Sequence, residues 1–247
     1  MISFKQFLHE NEYKQSVDAK EALEILRTKC TDALLHLDAP LWRGFKGAQG
    51  DFMVVNSEVV GRQSRNTTNY YTIILDHTLK GTDFPLRSKS IICANNENKD
   101  YARGFGTRYA VIPFNNAKMG LAPSYDFWET NVKMFGRSHR IETLNMYYKR
   151  LGLSANSWDE FKQSVLAQSV DRIRQEFSDF TNFTGTQQDL IHEIESAYTP
   201  EVMNIVATTP AKFNYSDHKD REVWVQGSCL CIQEDAFHNL QKQLAAE

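Results

Sequence analysis

The spacing of apolar positions divides the chain into a helical start, a strand-rich first half, a helical block and a strand-rich end. Through residues 1–37, apolar side chains recur at intervals of three and four, which predicts helices. Three short runs have the composition and spacing of strands: Leu41 to Phe45, Ser88 to Cys93 and Arg108 to Phe114. Residues 69–75 fit either a strand or a buried helical turn, since a short apolar run does not separate the two.

Helical spacing returns over residues 138–200 and predicts an inserted block of helices. Ser157 is suited to cap one helix, with Glu160 three residues later completing a capping box, and Thr186 is a plausible start for another. The block interrupts a chain that otherwise favours strands on both sides. We therefore expect a helical insertion or subdomain.

The end of the chain predicts two further strands, Glu222 to Val225 and Ser228 to Ile232, with Gly227 as a turn or bulge between them. A short helix over 235–245 closes the chain. We find no internal repeat and no long linker. The prediction is a single α+β domain over 1–247, built on an antiparallel or mixed sheet with an N-terminal helical segment and a helical insertion.

Composition and charge narrow the class of protein. The chain has 247 residues, 41% of them hydrophobic, and a formal net charge of −3. A protein that holds nucleic acid mainly by neutralising phosphates is usually basic, so this balance argues against a stable nucleic-acid binder. It does not argue against an enzyme that contacts nucleic acid briefly.

The cysteines and histidines do not have the spacing of a metal site. Cys229 and Cys231 are separated by one residue instead of the two of a zinc knuckle. We expect all four cysteines to be reduced, and we expect no metal. No apolar run approaches the roughly 20 residues that span a bilayer, and the N-terminus lacks the features of a signal peptide. These features predict a cytoplasmic protein without a membrane partner.

Candidate chemistry begins with Arg43 and Gly44 at the first predicted strand. A guanidinium offers a planar fork to a phosphate, and a neighbouring glycine permits close approach of a ligand. Ser88 and Ser90, two apart on a strand, would present both hydroxyls on one face, to a ribose and to a neighbouring carboxylate. Each feature alone is more often an ordinary surface arginine or an exposed serine.

Asp220 and Glu222 form an acidic pair at the start of a late strand. A carboxylate beside a sugar ring stabilises the oxocarbenium-like state that forms as a leaving group departs. A second carboxylate is suited to act as a base toward the incoming nucleophile. Alone, such a pair is usually a solvated edge of a sheet. It becomes a candidate for a catalytic site because it follows the arginine and the serines in this order.

The order of these motifs resembles the arginine–serine–glutamate branch of the ADP-ribosyltransferases, which includes cholera-toxin-type and clostridial toxins and phage-borne transferases. Leu41-Trp42-Arg43-Gly44 is similar to the first motif, and Ser88-Lys89-Ser90 is similar to a Ser-Thr-Ser motif with lysine replacing threonine. The segment that begins at Glu222 resembles the catalytic glutamate strand. Asp220 departs from the family, which has Glu or Gln there.

The resemblance implies a split-sheet core with NAD, as substrate, in a cleft between two small sheets. Arg43 would contact the phosphates, and Ser88 would support the nicotinamide ribose and Glu222. Glu222 would hold the ribose hydroxyl and stabilise the cation, and Asp220 would lie near the acceptor.

An aromatic side chain usually stacks on nicotinamide in this family, and the sequence offers Tyr109, Phe114 and Tyr101. The acceptor would be a protein side chain or a nucleic-acid base of a host, and an antitoxin partner is compatible with such a toxin. Leu8-His9-Glu10 resembles a phage head-processing site, which points to packaging in a phage head or action in the host cytoplasm. The alternative is a non-catalytic phage internal, structural or host-interaction protein that retains the fold.

Overall fold

The computed structural model describes residues 14–48, 50–59, 68–95, 99–178, 183–214 and 221–244, apart from the side chains of Lys99 and Tyr101. The strands are β1 (Lys14–Ser16), β2 (Leu41–Phe45), β3 (Phe52–Asn56), β4 (Ser90–Cys93), β5 (Thr107–Pro113), β6 (Lys118–Leu121), β7 (Asn131–Met134), β8 (Arg137–Arg140), β9 (Val206–Thr208), β10 (Val223–Gln226) and β11 (Ser228–Gln233). The α-helices are α1 (Ala19–Lys29), α2 (Thr31–Leu34), α3 (Tyr70–Leu79), α4 (Lys99–Arg103), α5 (Ile141–Arg150), α6 (Trp158–Leu166), α7 (Val170–Glu176), α8 (Gln187–Ala197) and α9 (Glu234–Leu244). Arg87–Lys89 and Phe127–Glu129 form 3-10 turns.

Two antiparallel sheets pack face to face. The five-stranded sheet has the order β1-β3-β11-β5-β2, the four-stranded sheet has the order β4-β10-β6-β9, and β7 and β8 form a separate hairpin. Because β-strands alternate their side chains between faces, each sheet sends one apolar row into the space between them. The shared core includes Met53, Val111, Met119, Val225 and Cys231. The α+β class is confirmed, and every strand pair is antiparallel.

Helices cover the outer face of each sheet. Helices α1 and α9 bury Leu26 and Phe237 against the outer face of the five-stranded sheet. The helical block from α5 to α8, together with α3, covers the four-stranded sheet, where Trp224 and Ile92 join its core. Within the described ranges, no helix has the length and apolarity needed to cross a membrane.

Two features connect the sheets and position the candidate site. Trp42 of β2 and Ala94, just after β4, exchange both backbone hydrogen bonds, at 2.7 and 2.9 Å. Gly227, between β10 and β11, has φ +120°, which only glycine adopts readily. The bridge brings β2 beside β4 and therefore brings Arg43 close to the beginning of β10.

Of the helical start predicted at 1–37, the described part contains α1 and α2, and the helical block predicted at 138–200 contains α5 to α8. The strands predicted at 41–45, 108–114, 222–225 and 228–232 are confirmed to within one residue at each end, and the strand predicted at 88–93 begins later, at Ser90. Residues 70–79 form a helix. The sequence prediction missed β1, which pairs with the edge of β3 although it lies within the segment predicted as helical. The Leu8-His9-Glu10 prediction lies outside the described residues.

Both helix N-caps predicted from the sequence are confirmed, but the Glu160 carboxylate binds a different backbone group from the one expected. The Ser157 side chain accepts a hydrogen bond from the Glu160 backbone, as expected of an N-cap. The Glu160 carboxylate instead accepts from the backbone of Asn156, at 2.8 Å. Thr186 and Asp189 form a complete capping box at the start of α8. These contacts define where two helices of the inserted block begin.

Candidate functional site

The structure brings Arg43 and Glu222 to the same cleft, although they lie far apart in the sequence. Arg43 is on β2, and Glu222 directly precedes β10, which pairs with β4 at Val223 and Cys93. Because Ala94 bridges to β2, both side chains meet above the end of β4. The lining residues of this cleft are Trp42, Arg43, Ile92, Cys93, Ala94, Ala102, Phe105, Tyr125 and Glu222.

Arg43 is held at the cleft by contacts on two sides. Its Nη1 donates to the carbonyl of Ile92 at 3.1 Å, and its guanidinium lies 4.9 Å from the centre of the Phe105 ring. The side chain is half-buried. A guanidinium so placed over an aromatic face is pre-organised to contact an anion.

Glu222 is 5% exposed and is bound by donors from the protein interior. Its Oε1 accepts from Arg87 Nη2 at 3.0 Å and from Trp224 Nε1 at 2.6 Å. Its Oε2 accepts one long hydrogen bond, from the backbone N–H of Phe127 at 3.5 Å. The carboxylate therefore has a fixed orientation, with one oxygen much more strongly bound than the other.

Arg87, which the sequence prediction missed, is the buried cation of the site. It is 2% exposed and lies 5.0, 5.5 and 5.6 Å from the rings of Tyr71, Phe127 and Trp224. Burial lowers the pKa of its guanidinium, but the Glu222 carboxylate and neighbouring groups outweigh burial and leave that pKa raised. The feature of the sequence that could have identified Arg87 is its position between Leu86 and the Ser-x-Ser motif.

The predicted placement of Ser88 and Ser90 on one strand face is wrong. Ser88 lies in a 3-10 turn, and its backbone N–H donates to the Asp76 carboxylate at 3.2 and 3.3 Å. The Ser90 hydroxyl donates to the carbonyl of Leu86 at 2.7 Å. Ser90 pairs with Gln226, at the opposite end of β10 from Glu222. Neither serine hydroxyl is a partner of the Glu222 carboxylate, because the turn before β4 directs Arg87 there instead.

Gly44 has a structural role that the sequence did not reveal. A Cβ added at Gly44 would lie 2.0 Å from the carbonyl oxygen of Ala102 and 3.0 Å from the backbone N of Gly106. The expected ligand approach over Gly44 is wrong for this conformation, because the end of α4 and the segment after it already fill that space. Gly44 is required there because β2 and that segment pack backbone to backbone.

We predict that Gly44→Ala destabilises the fold by about 1–3 kcal/mol, since the new methyl group overpacks a rigid backbone contact. Urea denaturation measures this loss. Gly47→Ala is the matched control, because a Cβ at Gly47 meets nothing within 4 Å and costs only its left-handed φ of +65°. Equal stability of the Gly44→Ala and wild-type proteins would contradict the packing argument.

The aromatic residues chosen from the sequence do not lie at the cleft. Tyr109 is 1% exposed in the core between the sheets, and its hydroxyl donates to the carbonyl of Gly50 at 2.8 Å. Phe114 packs with the outer-face core, with Lys29 Nζ 5.6 Å from its ring centre. Stacking by Tyr109 or Phe114 is therefore wrong, since strand alternation directs them elsewhere.

The cleft is bordered by aromatic residues other than those chosen from the sequence. Phe105 lies beneath Arg43, and Tyr125, 46% exposed, lies at the rim with its hydroxyl 3.0 Å from Glu129. Asp220 lies outside the described residues, as does the side chain of Tyr101. The described aromatic surface for a planar ligand is therefore Phe105 and Tyr125.

The cleft is narrow in this conformation. Its volume is about 20 Å³, room for about one water molecule, whereas small-molecule sites usually measure about 300–1,000 Å³. A larger cavity, about 570 Å³, lies elsewhere, between α1, α9 and the start of β3. Its described lining contains Asp51 and Asp235 but neither lysine nor arginine, so its charge does not suit phosphates. Arg43 gives the smaller cleft the better electrostatics for an anion.

Cys93 lines the cleft, but burial makes it a poor nucleophile. It is 1% exposed, and burial raises the pKa of its thiol to about 12. The other three cysteines, Cys30, Cys229 and Cys231, are also free and buried. The prediction of reduced core thiols is confirmed for all four residues in the structure.

We predict that a thiol reagent such as Ellman's reagent labels none of the four cysteines in the native protein within minutes, and all four after unfolding in guanidinium. Only the thiolate reacts, and burial suppresses both its formation and its access. Rapid labelling of one thiol in native protein, mapped to Cys93 by mass spectrometry, would show that the cleft opens to bulk solvent. The unfolded sample serves as the control for total thiol.

Comparison with known proteins adds no relative: no family model, no curated protein and no solved structure matches this chain. Any assignment of function therefore depends on the geometry of the cleft itself.

Proposed function

We propose that this protein is a mono-ADP-ribosyltransferase that transfers ADP-ribose from NAD to a host macromolecule. One observation supports the proposal above the others. Arg43 and Glu222, chosen from the sequence as phosphate-binding and catalytic residues, line one cleft at the junction of two antiparallel sheets. These two residues lie far apart in the sequence and carry opposite charges.

The proposed chemistry uses the opposite charges of the cleft. Arg43 binds the phosphates of NAD, and the Glu222 carboxylate faces the nicotinamide ribose. The bond between the ribose anomeric carbon and the nicotinamide nitrogen breaks, and nicotinamide leaves with the electron pair. The acceptor then attacks the anomeric carbon and releases a proton to a base or to solvent. Glu222 stabilises the positive charge that develops on the sugar between these steps.

Binding of NAD requires the cleft to widen. Phe105, in the segment after α4, and Tyr125, between β6 and the 3-10 turn at 127–129, border the cleft and belong to loops. Closure of loops over a substrate is common in enzymes that must exclude water. In the proposal, Phe105 and Tyr125 replace Tyr109 and Phe114 as the surfaces that stack on the nicotinamide or adenine ring.

The test is to incubate purified protein with NAD labelled in the adenylate part, with and without host lysate. The proposal expects release of free nicotinamide and transfer of label to macromolecules. Label that survives nuclease but not protease identifies a protein acceptor, and the reverse identifies a nucleic acid. Absence of both nicotinamide release and transferred label would refute the proposal.

A second candidate function is a non-catalytic phage or host-interaction protein that retains this architecture. The observation that favours it is that Arg87 and Trp224 both bind Oε1 of Glu222, beside a cleft of about 20 Å³. A site that serves only the fold has no need to open. The same NAD assay separates the two candidates, because only an enzyme releases nicotinamide.

A further inference from the structure

The side chains around Glu222 bind its two oxygens unequally. Oε1 accepts two hydrogen bonds, from Arg87 at 3.0 Å and from Trp224 at 2.6 Å. From the residues that the structure describes, Oε2 accepts only the 3.5 Å contact from the backbone of Phe127. A carboxylate oxygen has room for about two hydrogen-bond donors. Oε1 is therefore saturated, and Oε2 is the oxygen with capacity for a ligand.

Arg87 is itself fixed from several directions. Its Nη1 is 3.3 Å from the Tyr71 hydroxyl and 3.4 Å from the Thr72 hydroxyl, and three aromatic rings surround its guanidinium. Arg87 does not line the cleft that holds Arg43 and Glu222. The contact by which Arg87 can orient a group in the cleft is therefore its hydrogen bond to Glu222.

We infer that Arg87 is a positioning residue: together with Trp224 it holds the Glu222 carboxylate by Oε1, so that Oε2 is oriented for the sugar. This inference rests on the proposed function. A guanidinium that donates to one oxygen of a carboxylate fixes the orientation of the other oxygen, and the rigid aromatic rings around Arg87 prevent the pair from reorienting. Misplacing a catalytic group by about 1 Å costs on the order of 100-fold in rate.

The test measures nicotinamide release from NAD, with water as the acceptor, in Arg87→Met and Arg87→Lys proteins. We expect Arg87→Met to lower kcat by roughly 10- to 100-fold while KM for NAD stays within about twofold, because the residue acts on orientation and not on binding. Arg87→Lys keeps the charge and should recover part of the loss. Arg108→Met is the matched control, since Arg108 is another buried arginine with carboxylate partners and an aromatic neighbour, Trp42, and it makes no contact with Glu222.

A double-mutant cycle separates positioning from a general loss of structure. In a Glu222→Gln background, Arg87→Met should cause no further loss of turnover, because the group it positions has already been replaced. Trp224→Phe, which removes the other donor to Oε1 without removing a buried charge, should lower kcat in the same way as Arg87→Met. If Arg87→Met does not fold, the kcat values of Arg87→Lys and Trp224→Phe test the positioning role.

The outcomes distinguish a failure of the positioning role from a failure of the proposed function. Wild-type kcat in the folded Arg87→Lys and Trp224→Phe proteins, or an equal Arg87→Met effect with and without Glu222, would overturn the positioning role and leave the proposed function standing. A rise in KM without a fall in kcat would also overturn it. If the wild-type protein releases no nicotinamide, the proposed function fails and the positioning role fails with it.

Discussion

Glu222→Gln is expected to lower nicotinamide release by about 10²- to 10³-fold, the effect of removing one charge-stabilising group from an active site. The amide has the shape of the carboxylate, and its carbonyl oxygen can still accept from Arg87 and Trp224. What it lacks is the negative charge that stabilises a sugar cation. The loss should therefore fall on kcat, with the fold retained.

The measurement compares steady-state nicotinamide release with that of Glu195→Gln. Glu195 is a half-exposed carboxylate that pairs with His77 at 3.3 Å, in the helical block away from the cleft. Its replacement should leave turnover unchanged. Circular dichroism and the melting temperature show whether each variant is folded. Turnover of folded Glu222→Gln within a few-fold of the wild type would remove Glu222 from the mechanism, whatever the activity of the protein.

Arg87→Met is expected to lower the free energy of unfolding by about 3–5 kcal/mol, the cost of leaving one partner of a buried ion pair without the other. The two side chains are 3% and 7% exposed, so water cannot replace the missing guanidinium at the Glu222 carboxylate. Urea denaturation followed by circular dichroism measures the change.

Arg108→Met provides the contrast for this second prediction. The Arg108 side chain is also 3% exposed, but one of its partners, Asp100, is 77% exposed and remains hydrated when the arginine is removed. Glu234, the other partner, is 20% exposed. We expect a smaller loss than for Arg87→Met. The double change Arg87→Met with Glu222→Gln should recover part of the Arg87→Met loss, because no uncompensated charge is then buried. Equal losses for the two single arginine variants would contradict a special cost at Glu222.

Some features of the site follow from local sequence alone. Arg43 on a strand and Glu222 at the start of another were identifiable because short apolar runs beside charged residues mark strand ends. The caps at Ser157 and Thr186 were identifiable because capping depends on residues three positions apart. In both cases the physical cause lies within a few residues of the chain.

Other features depended on contacts between distant segments. Ser88 was misplaced because the 3-10 turn that begins at Arg87 depends on the Asp76 carboxylate contributed by α3. Tyr109 was misassigned because the face it occupies is set by which sheet packs against β5. Glycine is required at position 44 because the carbonyl of Ala102 lies too close for a side chain. The sequence near Gly44 does not predict this contact.

By itself, the sequence determined the α+β class, the helical block within 138–200, the strands near residues 41–45 and 222–232 and two members of the cleft. These depend on periodicity, capping and residue type, which act over a few positions. Only the tertiary structure decided that Arg87, and not a serine, holds Glu222, that Phe105 and Tyr125 border the cleft, and that the cleft is narrow. The first depends on the turn that the Asp76 carboxylate of α3 stabilises, and the others depend on the meeting of the two sheets at Trp42 and Ala94. Both are long-range contacts that no local pattern encodes.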